Sequence, residues 1–152
     1  MNDASHPCLH LIDATGHALD HTGLEVLVRE ECLELLMTKS IGRLGLTVGA
    51  LPTVLPVNYR IIGDRIYLRT SANERLRAAT TCAVVAFEVD EIDEDKHQGW
   101  SVVVTGVTEP IEHLDIAERL ESIGVPNWAP VPQTRFVSIS TDVIAGRRLS
   151  LR

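Results

Sequence analysis

Apolar and polar residues alternate with a period of two over much of the chain from residue 41 onward, which is the pattern of strands with one buried face. Turn residues at 49–50 and 63–64 divide the first part of this pattern into hairpins. Pro52 and Pro56 put the second strand at a sheet edge or a bulge, because proline cannot donate a ladder hydrogen bond. The predicted strands cover residues 41–48, 51–62, 65–70, 82–89, 99–111 and 135–143.

Three other segments have apolar residues at helical spacing and predict helices near residues 28–38, 73–80 and 114–123. Asn73 can cap the second helix, and Gly124 and Pro126 end the third. Six strands joined mostly by hairpins, with helices only as connections, predict a mainly β fold in which six antiparallel strands close a barrel.

The first 23 residues are polar and lack a clear period. We therefore expect a flexible N-terminal segment over residues 1–23 and one folded domain over residues 24–152. His17 and His21 are four residues apart and would form a metal-binding pair on a helix. Gly16 and Gly23 disfavour a helix there, so we expect no metal site.

The three cysteines, Cys8, Cys32 and Cys82, are odd in number and have no paired spacing, which argues against a disulfide framework and against zinc. Cys82 opens an apolar run and is predicted to be a buried small hydrophobe.

The net charge of the chain is −7, which disfavours a nucleic-acid or anionic-membrane surface. No apolar run approaches the roughly 18 residues that a membrane helix needs, and we expect a cytoplasmic protein. The sequence contains no Rossmann glycine fingerprint, no P-loop, no nucleophile elbow and no cluster of zinc ligands. These absences remove many common classes of enzyme.

Positive charge is concentrated in one part of this acidic chain. Five arginines lie between residues 60 and 77, against only Asp64 and Glu74. Such a local excess suits an anionic small molecule. The alternative is that these arginines are solvated on an exposed hairpin, as most surface charges are.

The end of the third strand and the start of the second helix have the groups that a phosphate needs. Thr70 and Ser71 offer hydroxyl donors, the helix start offers N–H groups, and arginine offers a forked donor. Arg75 and Arg77 are two residues apart on a helix and point to different sides, so both cannot bind one phosphate. The alternative is helix capping with surface charge.

The neighbouring strand contains Pro56, Val57, Asn58 and Tyr59. A proline-interrupted strand leaves backbone groups unpaired, and the edge of a flavin ring has donors and acceptors that match such groups. Asn58 offers both a donor and an acceptor. Taken alone, this segment favours a bulged edge strand.

Several segments follow one another in an order and at a spacing that are specific in combination, although each is weak alone. They are residues 41–44, 56–59, 66–70, 75–76, 85–90 and 99–106. On these segments the chain resembles the pyridoxamine 5'-phosphate oxidase-like family of flavin-binding split barrels, especially its short members. The resemblance covers residues from about 28 to 112 well, and the last strand more loosely.

This resemblance implies a split barrel that binds FMN in a homodimer, with the flavins at the interface and a small molecule as substrate. The strand residues Pro56, Val57 and Asn58 would lie along the flavin ring. Trp100 and Ser101 match positions that approach the flavin from the partner subunit. The phosphate would be held by Arg69, Thr70, Ser71 and Arg75.

One departure from the family changes the expected activity. The pyridoxamine oxidases proper hold pyridoxal phosphate with a final segment that contains arginine and histidine, whereas this chain has no histidine after His113. We therefore do not expect vitamin B6 oxidation. No acid, base or nucleophile stands near the flavin segments, so no catalytic residue is assigned.

Three functions remain open from the sequence. The first is a flavin-dependent oxidoreductase, since the flavin itself supplies the redox chemistry. The second is a module that binds or sequesters a flavin, a deazaflavin coenzyme or haem without turnover. The third is a barrel that has lost its ligand and serves as a scaffold.

Overall fold

The computed structural model describes residues 11–12, 16–70, 73–130 and 135–150. In these residues three helices connect strands that belong to one continuous sheet. The helices are α1 (Arg29–Met37), α2 (Glu74–Ala79) and α3 (Leu114–Ile123). The strands are β1 (Leu11–Ile12), β2 (Ala18–Leu19), β3 (Glu25–Leu27), β4 (Ile41–Val48), β5 (Leu51–Ile62), β6 (Arg65–Thr70), β7 (Val84–Asp93), β8 (Gln98–Pro110), β9 (Arg135–Ser140) and β10 (Val143–Leu149).

Strands β4 to β9 close into a barrel. The sheet runs β8-β7-β4-β5-β6-β9, and β9 pairs again with β8, with Thr108 opposite Ile139. All of these pairings are antiparallel. The predicted six-stranded antiparallel barrel with three short helices is therefore confirmed.

The barrel interior is filled by the alternate residues that the sequence pattern marks as apolar. Tyr59 and Phe87 meet there edge to face, with ring centroids 4.9 Å apart. The Tyr59 hydroxyl donates to the carbonyl of Leu36 on α1, which packs against the barrel, and burial raises the pKa of this phenol. Gly42 on β4 leaves room for the Phe87 ring, since a Cβ on Gly42 would lie 2.4 Å from Cζ of the phenylalanine.

Some element boundaries differ from the prediction. The last predicted strand, 135–143, ends at Ser140 as β9, and a further strand that was not predicted, β10, follows from Val143 to Leu149 and pairs with β8 and β3. The strand predicted to end at residue 89 continues through acidic residues as far as Asp93 in β7. Its charges are accommodated at the surface, where Lys39 lies 2.7 Å from Glu91 and Arg43 lies 3.3 Å from Asp90.

Of the segment 1–23 that the sequence predicts to be flexible, residues 1–10 and 13–15 lie outside the described residues. In the rest, β2 contains the buried Leu19, which pairs with Glu25 of β3. Asp20 accepts hydrogen bonds from Thr22 and Leu24 and lies 2.8 Å from Nε of Arg147. The Thr22 hydroxyl above all, together with these other donors, lowers the pKa of Asp20.

The prediction for Cys82 is wrong. This residue is exposed and has a φ of +50° in the turn between α2 and β7, whereas Cys32 on α1 is the buried thiol. The apolar run that follows is indeed a strand, but it begins at Val84. Among the described residues, no helix has both the length and the apolar character needed to cross a membrane.

Candidate functional site

A cavity of about 440 Å³ lies between β5, the end of β6, α2 and the segment 125–130. Its volume is in the range of small-molecule sites, and its surface is largely apolar. The lining residues include five that the sequence predicts as flavin ligands. They are Pro56, Val57, Asn58, Arg69 and Thr70.

Strand β5 borders the cavity with backbone groups as well as side chains. It pairs with β4 from residue 51 to 58, but β6 pairs with it only from residue 59 to 62. The half that contains Pro52 and Pro56 therefore has one edge that no described strand covers. This agrees with the edge position predicted from the prolines, and it leaves backbone donors and acceptors available to a ligand.

Thr70 is the least satisfied polar residue of this site. Its side chain points inward at the end of β6, the residue is 7% exposed, and its Oγ1 has no hydrogen-bond partner among the described residues. Leaving a buried hydroxyl unpaired costs about 1–3 kcal/mol. A polar ligand atom in the cavity that Thr70 lines would satisfy it. Ser71, predicted to act beside it, lies outside the described residues.

Arg69 lies at the same strand end but is committed to the protein. Its Nη1 and Nη2 donate to the two carboxylate oxygens of Glu121 on α3, at 2.8 and 2.7 Å, and its Nε donates to the carbonyl of Val125 at 3.1 Å. The guanidinium also lies 4.6 Å from the centre of the Phe136 ring. The hydrogen bonds from Arg69 lower the pKa of Glu121.

Asn58 uses its side chain in a similar way. Its Nδ2 donates to the carbonyl of Ser40 at 3.4 Å, and its Oδ1 accepts a hydrogen bond from the backbone N–H of Trp128 at 2.9 Å. The amide nitrogen and the amide oxygen of Asn58 thus both have protein partners. One N–H hydrogen and one oxygen lone pair remain available to a ligand.

Arg75 lies next to the main cavity rather than on its wall. Its guanidinium covers the β4–β5 turn, with Nη2 3.3 Å from the position that a Cβ on Gly49 would take. It lines a neighbouring groove that shares Leu55 and Leu76 with the cavity. Arg77 lies on another side of α2, near Arg135, whose pKa is lowered by burial and by the charge of Arg77.

The other arginines of the basic stretch do not join this site. Arg60 donates to the carbonyl of Ile123, at 2.7 Å, and Arg65 lies 3.0 Å from Glu109. The local positive excess in the sequence is therefore distributed over several structural contacts, and it does not form one anion-binding cluster.

Trp100 and Ser101 lie at a different place on the surface. They line a second cavity, of about 560 Å³, beside His97, Arg147 and Leu149. One chain thus keeps the two groups of predicted flavin residues apart. This separation is what the resemblance implies, since it assigns Trp100 and Ser101 to the flavin of the partner subunit.

Trp128 also lines the main cavity and is 66% exposed, although it was not predicted from the sequence. Residues 125–130 follow neither a helical nor a strand period, so no pattern placed this residue at the site. The rarity of tryptophan, with only two in the chain, was the one feature of the sequence that could have drawn attention to Trp128.

The profile of one protein family matches most of the chain. The family is described as pyridoxamine 5'-phosphate oxidase, and the match covers residues 28–148. The chain belongs to the pyridoxamine 5'-phosphate oxidase family. This confirms the resemblance drawn from the strand motifs.

Relatives in this family are similar along most of their length. An uncharacterised protein of Mycobacterium tuberculosis, Rv0080, is 30% identical over 128 residues, which are 81% of this chain and 84% of that protein. A crystal structure from Corynebacterium glutamicum, provisionally assigned as a pyridoxamine 5'-phosphate oxidase, is 30% identical. It covers 84% of this chain and 99% of its own, with a TM-score of 0.74.

A second solved structure is named by its ligand. It is an FAD-binding protein from Mycobacterium smegmatis, 28% identical, which covers 83% of this chain and 98% of its own with a TM-score of 0.68. The family match over residues 28–148 includes every residue that lines the main cavity.

Proposed function

We propose that the protein binds FMN in the cavity beside β5 and acts as an oxidoreductase that passes hydride or electrons to a small acceptor. The observation that carries this proposal is the buried hydroxyl of Thr70, which has no hydrogen-bond partner among the described residues, on the wall of a largely apolar cavity. A flavin nucleotide has a flat ring for the apolar part and phosphate oxygens for such a donor. The FAD-binding relative from Mycobacterium smegmatis supports a flavin ligand.

The residues present fit this group. Pro56, Val57 and Asn58 would lie along the ring, where the uncovered edge of β5 offers backbone donors and acceptors. Thr70 would hold the phosphate, with Arg69, Ser71 and Arg75 around it. Arg69 contributes mainly charge, because its donors are engaged with Glu121 and Val125.

A bound flavin supplies hydride and electron transfer by itself. The side chains of this chain have the task of binding and orienting it and of excluding water. Among the described lining residues Arg69 alone has an ionisable side chain, and this side chain is paired with Glu121. We therefore assign no side chain of the cavity to proton transfer.

We also propose that the site is completed in a homodimer. The outer face of β4, β5, β7 and β8 exposes several aliphatic side chains, and exposed apolar surface is typical of interaction sites. Val103 and Val107 belong to the strand that also holds Trp100 and Ser101, so covering this face brings a partner copy close to both cavities. The most exposed members are Val54 at 67% and Val84 at 71%.

The test is the spectrum and the mass of whatever ligand purifies with the protein. We expect flavin absorbance, release of FMN on denaturation, and turnover of the bound flavin with a reduced nicotinamide. If FAD, a deazaflavin coenzyme or haem is released instead, that molecule replaces FMN as the ligand of the site. Flavin binding without turnover would leave the protein a binding module, and failure to bind any flavin would contradict the proposal.

A further inference from the structure

Side chains from β5 and β6 hold the segment 123–128, which is otherwise irregular, against the barrel. Arg60 donates to the carbonyls of Ile123 and Gly124, at 2.7 and 3.1 Å. Arg69 donates to the carbonyl of Val125 at 3.1 Å, and Asn58 accepts from the N–H of Trp128 at 2.9 Å. The backbone is thus fixed along its length by polar contacts from two strands.

This fixed backbone determines where Trp128 lies. Gly124 turns the chain out of α3 with a φ of +81°, and Val125 is buried against Phe136 and Leu120. The segment then passes over the cavity that β5 borders, and Trp128 lines it. The hydrogen bond to Asn58 ties the tryptophan to the strand that we assign to the flavin ring.

Trp128 has the properties of an aromatic contact for a ligand. It is 66% exposed, so the core does not need it. The other described residues that line the cavity have no aromatic ring. An exposed indole at the rim of an apolar cavity offers a large rigid surface with little loss of side-chain entropy, and aromatic rings stack favourably on other conjugated rings.

We infer that Trp128 forms the aromatic wall of this site and stacks on the planar conjugated ring of the ligand, and that Asn58 and Arg69 are positioning residues that hold it there. This inference rests on the proposed flavin function and adds to it a residue 70 positions from Asn58 in the chain. It assigns the segment 123–128 to the binding site.

The first experiment measures FMN affinity by equilibrium dialysis for wild type, Trp128→Ala and Trp128→Phe. Stacking energies of aromatic pairs correspond to about threefold to tenfold in affinity, so we expect that loss in Trp128→Ala and partial recovery in Trp128→Phe. Leu114→Ala is the matched control, because Leu114 is a 79% exposed apolar residue of α3 that does not line the cavity.

The second experiment follows Trp128 emission in a Trp100→Phe background, which leaves Trp128 as the one tryptophan of the chain; since Trp100 is itself among the proposed flavin residues, FMN is added at concentrations that dialysis shows to saturate this background. We expect FMN to quench this emission, because a stacked flavin quenches an indole. In the ligand-free protein, Asn58→Leu should increase the access of acrylamide to Trp128. Asn58→Asp, which retains an acceptor for the Trp128 N–H, should restore the protection.

The outcomes separate this inference from the proposed function. Normal FMN affinity in Trp128→Ala, together with unquenched emission, would overturn the role of Trp128 while leaving flavin binding intact. Loss of affinity with no recovery in the phenylalanine variant would also count against stacking. If wild type binds no FMN by dialysis, the proposed function fails and this inference fails with it.

Discussion

Arg69 and Glu121 form a two-point ion pair, with both terminal nitrogens of the arginine donating to the carboxylate at 2.7 and 2.8 Å. The sequence offers this arginine to a phosphate, but the fold uses it to join the end of β6 to α3. Because its Nε also holds the carbonyl of Val125, the pair controls the start of the segment that leads to Trp128. Protonation of Glu121 should therefore be detectable at Trp128.

We expect acid to loosen this segment before it unfolds the barrel. The pKa of Glu121 lies below its usual 4.5 because Arg69 donates to it. A lowered carboxyl pKa means that the stabilising contribution is complete above about pH 4.5 and is lost as the pH falls through the lower folded value. In a Trp100→Phe background, acrylamide quenching of Trp128 should rise over that interval. In the Glu121→Gln variant, Trp128 should already be accessible to acrylamide at neutral pH. Its quenching should therefore show no further rise in acid.

Thr70→Val should lower the affinity for FMN without lowering the stability of the fold. Valine fills the same volume without the unpaired hydroxyl, so the free energy of unfolding should stay equal or rise by about 1 kcal/mol. FMN affinity should fall by about tenfold, since a donor to the ligand is lost. Denaturant unfolding and dialysis measure the two effects.

Thr108→Val is the matched control for this variant. The Thr108 hydroxyl is buried but donates to the carbonyl of Ala83 and accepts from its N–H, at 3.2 and 3.0 Å. We expect this variant to lose about 1–2 kcal/mol of stability and to keep its FMN affinity. Equal behaviour of the two threonines would remove the case for Thr70 as a ligand.

Arg75→Ala should weaken FMN binding by about tenfold to a hundredfold, because it removes a charge-assisted hydrogen bond worth about 1.5–3 kcal/mol. Arg75 is exposed at the start of α2, so the fold should persist. Arg77→Ala, on the side of α2 that faces Arg135, should bind nearly as wild type. If titration with FMN gives the reverse order, the phosphate lies elsewhere. If neither variant differs from wild type, the two arginines are surface charge.

Val54→Asp should abolish the proposed homodimer. Val54 is 67% exposed in the single chain, so a carboxylate there costs the isolated chain little but would be buried in the interface. Sedimentation should give twice the chain mass of 16.7 kDa for wild type and a single chain for the variant. Leu114→Asp, at an equally exposed position on α3, should remain a dimer. A wild-type protein that sediments as a monomer at micromolar concentration would refute the dimer directly.

The barrel could be predicted because each of its strands can be recognised from the residues of that strand and of the turns beside it. Strands β4, β5 and β6 have alternating residues between recognisable turns, and a period of two is legible without knowing the partner strand. The break between β9 and β10 lacks such a signal. The chain turns at Thr141, whose hydroxyl donates to the carbonyl of Asp64 and accepts from Nη2 of Arg29. Those partners are 77 and 112 residues away in the sequence.

The candidate site shows the same division. Pro56, Val57, Asn58 and Thr70 were found because they lie on strands with a recognisable motif. Trp128 was not, since its place depends on contacts between an irregular segment and distant strands. Arg69 forms an ion pair with Glu121, which is 52 residues away in the sequence. Residue type could not predict this pair, because arginine binds a phosphate and a carboxylate equally well.

Strand β8 has a consequence for how the chain is made. One of its edges is divided, with residues 99–105 paired to β10 and residues 108–110 paired to β9. Both partners follow β8 in the chain and leave the ribosome after it, and β3 must also wait for β10. A nascent chain therefore presents an unpaired valine-rich edge until β9 and β10 have been made. A stop codon shortly before Val143 would make that edge permanent, and such a product would be a substrate for chaperones and proteases.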